Sequence, residues 1–147
     1  MSLQGTGATG ISNYLKNTLI PSVVNIRSAN IFDQELTDLA GFPAATITLQ
    51  TLKGKILDNS RNERIYRFTI RIFIDRNKQN FGSNTAETIL RSITDSLVAQ
   101  IDADPTLGGN CINTVPFEVN YGYIDRENQN IRLCEVILDC KDASQWR

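Results

Sequence analysis

Histidine is absent from this 147-residue chain, and cysteine is scarce, with only Cys111, Cys134 and Cys140. Without histidine the protein lacks the commonest general base and the commonest nitrogen ligand for metal ions. An odd number of irregularly spaced cysteines argues against the disulfide framework of a small secreted protein. We therefore expect three reduced, mostly buried thiols, no metal or other cofactor, and no catalytic residues. A metal site or a thiol nucleophile is the weaker alternative.

Long hydrophobic runs and an excess of positive charge are also missing. No window approaches the ~20 consecutive apolar residues of a membrane-spanning helix. The start of the chain, MSLQGTGATG, has neither the basic residues nor the apolar run of a signal peptide. The net charge is −1, whereas proteins that bind nucleic acid on their own usually carry a basic excess. We therefore expect a soluble protein made in the cytoplasm, with no membrane partner and no tight DNA binding by the monomer.

Two motifs that look functional have ordinary explanations. Residues 5–10 are rich in glycine, like a phosphate-binding loop, but no strand precedes them and the Gly-Lys-Ser/Thr ending is missing. Asp102 and Asp104 are two acids at a predicted helix end, where such carboxylates usually lie in solvent rather than form an acid–base pair. We expect neither motif to be a functional site.

The spacing of apolar residues is typical of a small α+β protein. It predicts helices over residues 11–19 and 84–102, and strands over 44–52, 65–75, 115–123 and 131–140. Pro21 should close the first helix, and the turn at residues 104–109 the second. Between the first helix and the first long strand, the apolar residues Val23, Val24 and Ile26 suggest a short strand. Ile31, Phe32, Leu36 and Leu39 suggest a turn of helix or a packed loop.

This order of elements predicts the fold class α+β, a mainly antiparallel sheet packed by two helices. The length fits one domain, since two would each be too small to bury a core. We expect a flexible N-terminus over residues 1–9, a single domain over residues 10–142, and a C-terminal tail over residues 143–147.

The last predicted strand is apolar on both faces. Cys134, Val136, Leu138 and Cys140 share one face, while Ile131, Leu133 and Ile137 occupy much of the other. A strand that is wet on one face would alternate cleanly. We therefore expect both faces to be covered, by a helix of the same chain or by a neighbouring subunit. Matching the apolar faces of this hairpin places Tyr121 near Cys134, Val119 near Val136, Phe117 near Leu138 and Val115 near Cys140.

Two polar regions are candidate contact surfaces. A long mobile loop is predicted from Lys53 to Glu63, because few apolar groups are available to hold it. Its candidate contacts to a tube or to a neighbouring subunit are Lys53, Lys55, Ile56, Leu57 and Arg61. Arg67 and Arg71 share one strand face. This face has three possible roles: it is simply solvated, it contacts another protein, or it lines a channel for passing DNA. Ile131, Leu133 and Ile137 complete the candidate inter-subunit contacts.

Residues 44–141 resemble the tail terminator and tail completion proteins of tailed bacteriophages, the group that includes the lambda tail terminator. The resemblance rests on an order of short motifs rather than on one specific signature. These are the strand ending Arg71-Ile72-Phe73-Ile74, the helix from Ala86-Glu87 to Leu97, and the turn Asp104-Pro105-Thr106-Leu107-Gly108-Gly109. The strand ending Tyr121-Gly122-Tyr123 and the final strand through Glu135-Val136-Ile137-Leu138 complete it.

The resemblance implies a structural virion protein that forms a ring, most often a hexamer. Such a ring caps the tail tube, stops its polymerisation and joins the tail to the neck, while DNA passes through the lumen. Its partners would be copies of itself, the tail tube protein and a neck or connector protein, and its location the virion. A head–tail connector or head-side stopper ring is the alternative, and a small enzyme or regulator the remaining one.

Overall fold

The computed structural model describes residues 7–23, 31–32, 44–56, 61–75, 83–126 and 129–145. The helical elements are α1 (Gly7–Tyr14), a π-helical turn (Leu15–Leu19), α2 (Ile20–Val23) and α3 (Ser83–Ala103). The strands are β1 (Ile31–Phe32), β2 (Ala44–Ile56), β3 (Arg61–Asp75), β4 (Asn113–Arg126) and β5 (Gln129–Gln145). One sheet contains all of these strands in the order β1-β2-β3-β5-β4. The predicted α+β class is confirmed, in one domain.

The sheet is antiparallel except where β1 pairs in parallel with β2. β3 lies at its centre and pairs along its full length with β5. The alternation in β3 explains this position, because its even-numbered apolar residues, from Tyr66 to Ile74, are all buried on one face. The strand predicted over residues 65–75 is confirmed.

The main core lies between this face of the sheet and the helices. α1 and the π-turn contribute Ile11, Leu15 and Leu19, and α3 contributes the residues at its helical spacing, Leu90, Ile93, Leu97 and Ile101. The strands contribute Ala45 and Ile47, the β3 row, and Cys134, Val136, Leu138 and Cys140 of β5. Full burial of one such aliphatic side chain contributes roughly 1.5–3 kcal/mol. This face is called the covered face below.

The opposite face of the sheet holds a second, smaller cluster. Ala44, Phe73 and Ile131 are buried there, and Leu133 and Ile124 pack against them. The rest of the opposite face is polar or half-buried. The prediction that β5 is covered on both faces is therefore confirmed at Ile131, whereas Leu133 and Ile137 are only half-buried.

The start of the chain differs from the prediction. Gly7 to Thr9 lie in α1 rather than in a flexible end, and Pro21 lies inside α2 rather than closing the first helix. A π-turn precedes this proline, and its wide pattern is closed by the Ile20 N–H, which donates to the Leu15 carbonyl. A wide turn suits this place, because proline has no N–H with which to continue a regular α-helical ladder.

The segment after this helix also differs. Val23 belongs to α2, so a strand there is wrong, and Val24 and Ile26 lie outside the described residues. Ile31 and Phe32 form β1 instead of a helical turn or loop, paired with Ala45 and Thr46. Leu36 and Leu39 also lie outside the described residues. Short segments of this kind are set by their sheet partner, which local apolar spacing does not reveal.

The predicted loop from Lys53 to Glu63 is wrong, because β2 and β3 continue through most of it. Lys53 pairs with Ile65, and the register runs on to Ile56 opposite Asn62. Polar residues extend a strand where the helices no longer cover the sheet, since alternation is required only where one face is buried. The connection itself, residues 57–60, lies outside the described residues.

The last hairpin follows the prediction in one half only. Tyr121 lies opposite Cys134 and Val119 opposite Val136, as expected. Below them a β-bulge between Pro116 and Glu118 adds one residue, so the register shifts. Pro116, not Phe117, then faces Leu138, and Thr114, not Val115, faces Cys140. β5 also runs to Gln145, into the predicted tail.

The turn that ends α3 is confirmed and is tied to α1. Leu107, Gly108 and Gly109 all have positive φ angles. One Asp104 carboxylate oxygen accepts from the Gly108 N–H at 2.9 Å and from the Tyr14 hydroxyl at 3.3 Å, and the other accepts from the Thr106 hydroxyl at 2.9 Å. These hydrogen bonds, that from Thr106 first, hold the pKa of Asp104 below its usual range.

Candidate assembly surfaces

Both edges of the sheet leave backbone groups without a strand partner in the described part of the chain. At one edge β1 pairs with Ala45 and Thr46, so β2 from Ile47 to Ile56, called the β2 edge, has a strand neighbour on one side only among the described residues. At the other edge, the 14-residue strand β4 pairs with β5 and with no other described strand. Rows of unpaired N–H and C=O groups are templates for pairing with another strand.

The exposed apolar side chains lie at these same two edges. Among the described residues the large exposed ones are Leu49 and Leu52 on β2, Val115, Tyr121 and Tyr123 on β4, and Ile112 directly before β4. Their exposed fractions run from 42% for Leu49 and Ile112 to 62% for Tyr123. Single exposed apolar residues are ordinary, but their restriction to two edges indicates contact surfaces.

A shallow groove lies beside Leu49 on the covered face. It has a volume of about 210 Å³ and runs between α1 and β2. Its floor is apolar, formed by Ile47, Leu49 and Phe68, and its wall is formed by Ala8 and the polar residues Thr9, Ser12 and Asn13. An apolar floor with hydroxyl and amide groups beside it suits an amphipathic side chain such as tyrosine.

A buried arginine supports the exposed aromatic pair on β4. The Arg132 guanidinium carbon lies 4.3 Å from the Tyr123 ring centroid and 5.5 Å from that of Tyr121. Its Nη1 donates to the Gly122 carbonyl oxygen at 3.1 Å, and the side chain is only 9% exposed. Cation–π contacts and this hydrogen bond together hold the rings in place. Arg132 was missed from the sequence, although a charged residue among the apolar residues of β5 was a visible signal.

The face opposite the covered face, called the polar face below, carries ion pairs between β3 and β5. Arg67 donates to Asp139 from Nε at 2.9 Å and from Nη2 at 3.1 Å, and Arg71 Nε donates to Glu135 at 2.7 Å. Both pairs join directly opposite residues. The hydrogen bond to Asp139 is the largest cause that raises the pKa of Arg67. Charges matched in this way favour a cross-strand role for the two arginines over phosphate binding.

The other candidate contacts lie at several places. Lys53 is exposed on β2. Lys55 and Ile56 are paired residues of β2, opposite Glu63 and Asn62, and Arg61 is the first residue of β3, opposite Gln145. Leu57 lies outside the described residues. The structure therefore brings Lys53 to Ile56 onto the β2 edge, and it separates them from Ile131, Leu133 and Ile137 on β5.

The three cysteines are reduced and buried, as expected. Cys134 accepts a hydrogen bond from the Thr94 hydroxyl at 3.3 Å, and burial raises the pKa of its thiol. Cys111 lies 3.1 Å from the Thr114 hydroxyl, and its interaction with Cys140 is the largest cause that lowers its pKa. Within the described residues, no three potential metal ligands come together.

Comparison with known proteins gives no identification. No protein-family model matches this chain, and no curated protein matches it. Among the described helices, none is long and apolar enough to cross a membrane. The functional conclusion therefore depends on the two sheet edges and on the side chains that they carry.

Proposed function

We propose that this chain is a structural subunit that assembles into a ring through its two sheet edges, and that the ring is the tail terminator of a tailed bacteriophage. The observation that carries the ring is that the two edges without a strand partner among the described residues also carry the exposed apolar side chains. A small sheet with two long open edges invites uncontrolled pairing, and ring closure removes both edges at once.

The geometry of the sheet favours a ring over a two-fold dimer. The β2 edge and the outer edge of β4 are different surfaces at opposite sides of the sheet. A contact between them is head-to-tail, so repetition leads to a closed ring when the rotation permits. The order β2-β3-β5-β4 is antiparallel at every step, so β2 and β4 run in opposite directions. A rotation about an axis along the strands then places β4 of one copy antiparallel to β2 of the next.

The step from a ring to a tail terminator rests on the resemblance. The order of motifs between residues 44 and 141 supports this family, as does the α+β fold. Paired charges on the polar face and a net charge of −1 suit a lumen through which DNA slides without being held. The proposed partners are copies of the chain, the tail tube protein and a neck or connector protein. A head–tail connector ring would use the same edges but would bind the portal side.

The test combines the oligomeric state with binding to tail tubes. Native mass spectrometry over a range of protein concentrations should show a closed oligomer, with the hexamer expected. Electron microscopy of purified tail tubes mixed with the protein should show density at one end and an arrest of further growth. A ring that binds the portal side and leaves tubes uncapped would indicate the connector. A monomer at all concentrations that also ignores tubes would refute the proposal.

A further inference from the structure

We infer that β4 of one copy pairs antiparallel with the β2 edge of the next copy, shifted by four residues along the strand. This inference rests on the proposed ring and adds its contact residues. In this register Tyr121 faces Leu49, Val119 faces Leu52, and Glu118 faces Lys53 across the boundary. Side-chain faces, free backbone groups and charge all favour this register.

The faces of the sheet restrict the register to even shifts. Leu49 and Leu52 lie opposite Phe68 and Tyr66, so they belong to the covered face. Tyr121 lies opposite Cys134, so it belongs to the same face. A shift by an odd number of residues would place these side chains on opposite faces, because successive residues of a strand alternate. Only even shifts bring the exposed apolar groups of both edges together.

The pairing of β1 with β2 excludes the unshifted register. Through β5 and β3, Tyr121 is level with Cys134, with Ile72 and thus with Ala45. Without a shift Tyr121 would therefore meet the part of β2 that β1 already occupies. Leu49 is level with Phe68, four positions along β3 from Ile72. A shift of four residues brings Ile47–Ile56, which has no second strand partner among the described residues, against Thr114–Tyr123, and each stretch contains one bulge. In this register β4 must turn away from the β2 edge after Tyr123, because β1 pairs with Thr46 and Ala45.

The charges of Lys53 and Glu118 select one of the even shifts. Lys53 and Glu118 are exposed, and their register partners Ile65 and Ile137 place both on the polar face. Within the described part of the chain, neither forms an ion pair. Glu118 accepts a hydrogen bond from the Asn120 side-chain amide at 2.7 Å and attracts Arg67 of the same sheet. A four-residue shift places them opposite each other, whereas a two-residue shift places Val115 opposite Lys53 and a six-residue shift places Asn120 there. Opposite charges directly across an antiparallel pair stabilise it, and interfaces use such pairs to fix register.

The same register gives the aromatic residues a place on the next copy. Tyr123 comes level with Ile47, at the floor of the groove between α1 and β2. Its ring would meet the apolar floor, and Thr9, Ser12 and Asn13 offer partners for its hydroxyl group. Arg132 holds the ring before contact, so little side-chain freedom is lost on binding. Buried tyrosine next to arginine is a frequent composition at interface hot spots.

Charge reversal tests the register in the full-length protein. Lys53→Glu and Glu118→Lys should each raise the concentration needed for ring formation about tenfold, because each places like charges across the interface. The variant that carries both changes should assemble within about threefold of wild type, since the pair is restored with opposite polarity. Glu118→Lys combined with Lys16→Glu has the same net charge as the restored pair and should stay defective. Far-ultraviolet circular dichroism confirms that each variant is folded.

Cysteine cross-linking gives a second, independent reading of the register. Leu49→Cys with Tyr121→Cys should form disulfide-linked rings when oxidised glutathione is added, and Leu49→Cys with Tyr123→Cys should not. The native thiols are buried and serve as the background control. Cross-linking of the second pair alone, or failure of the restored charge pair while wild type still forms rings, would overturn the register and leave the ring proposal intact. Absence of rings in wild type would overturn both.

Discussion

At Gly108 an added methyl group would meet both backbone strain and a steric collision. It has a φ angle of +67°, and a Cβ atom placed there would lie 2.7 Å from Tyr14 Cε2. The neighbouring Gly109 has a φ angle of +89°, but a Cβ atom there would meet nothing within 4 Å. The two glycines therefore separate backbone strain from collision within the same turn.

The magnitudes follow from these two causes. A non-glycine residue in the left-handed region costs roughly 1–2 kcal/mol. Gly109→Ala should lower the free energy of unfolding by this amount and no more, because its new methyl group meets no other atom. Gly108→Ala adds the displacement of a packed aromatic ring, and overpacking of this kind costs about 1–3 kcal/mol. Gly108→Ala should therefore lower the free energy of unfolding by about 2–5 kcal/mol. This is a large share of the total for a typical domain, which is about 5–15 kcal/mol.

Urea unfolding followed by circular dichroism measures both variants. A third protein, Gly108→Ala in a Tyr14→Leu background, removes the ring that collides with the new methyl group. The cost of Gly108→Ala in that background should fall to the cost of Gly109→Ala. Equal costs for the two alanine variants in the wild-type background would refute the packing of Tyr14 against this turn.

Three further expectations concern the core, the aromatic edge and acid. Leu97→Ala should lower the free energy of unfolding by about 2–5 kcal/mol, because its side chain is fully buried. Leu52→Ala, at an exposed edge, should change the stability of the monomer by less than about 0.5 kcal/mol. Equal losses in urea unfolding would contradict the assigned core. Arg132→Met keeps the length of the side chain but removes its charge, so the Tyr123 ring should become mobile and its NMR signals should narrow; unchanged signals would argue against the cation–π contact. Because the pKa of Asp104 is lowered in the folded state, its contribution to stability is present above its unfolded pKa of about 3.9 and is lost as pH falls through the lower folded value. Asp104→Asn should therefore lose less stability between neutral pH and about pH 3 than wild type does, and a parallel loss in both proteins would contradict this role.

Long periodic elements were predictable from local spacing, because their patterns reflect burial on one side. The even-numbered row of β3 and the buried face of α3 both follow from this rule, and the turn at Asp104 follows from its proline and glycines. The same rule failed at the ends of the β2–β3 hairpin. There the helices no longer cover the sheet, and polar residues such as Lys53 pair just as well.

Features that depend on distant partners could not be predicted. The insertion of β5 between β3 and β4 brings together residues far apart in sequence, and apolar spacing carries no record of which strand lies beside which. The bulge at Phe117 shifts the register by one residue without any change in composition. The candidate site depends on both features, because only the strand order shows that β4 is an edge strand and that β2 becomes one beyond the short β1. Lys53 was a candidate from the sequence, but Glu118, Tyr121 and Arg132 required the fold.

The two bulges have a consequence for the protein before it assembles. A straight, apolar edge strand is a template on which unrelated chains stack into aggregates. Here the β2 edge is bent between Leu49 and Thr51, and β4 between Pro116 and Glu118. The charges of Lys53 and Glu118 repel an identical edge. We therefore expect each edge to resist pairing with a copy of itself, whereas the opposite charges of Lys53 and Glu118 favour the pairing of β2 with β4.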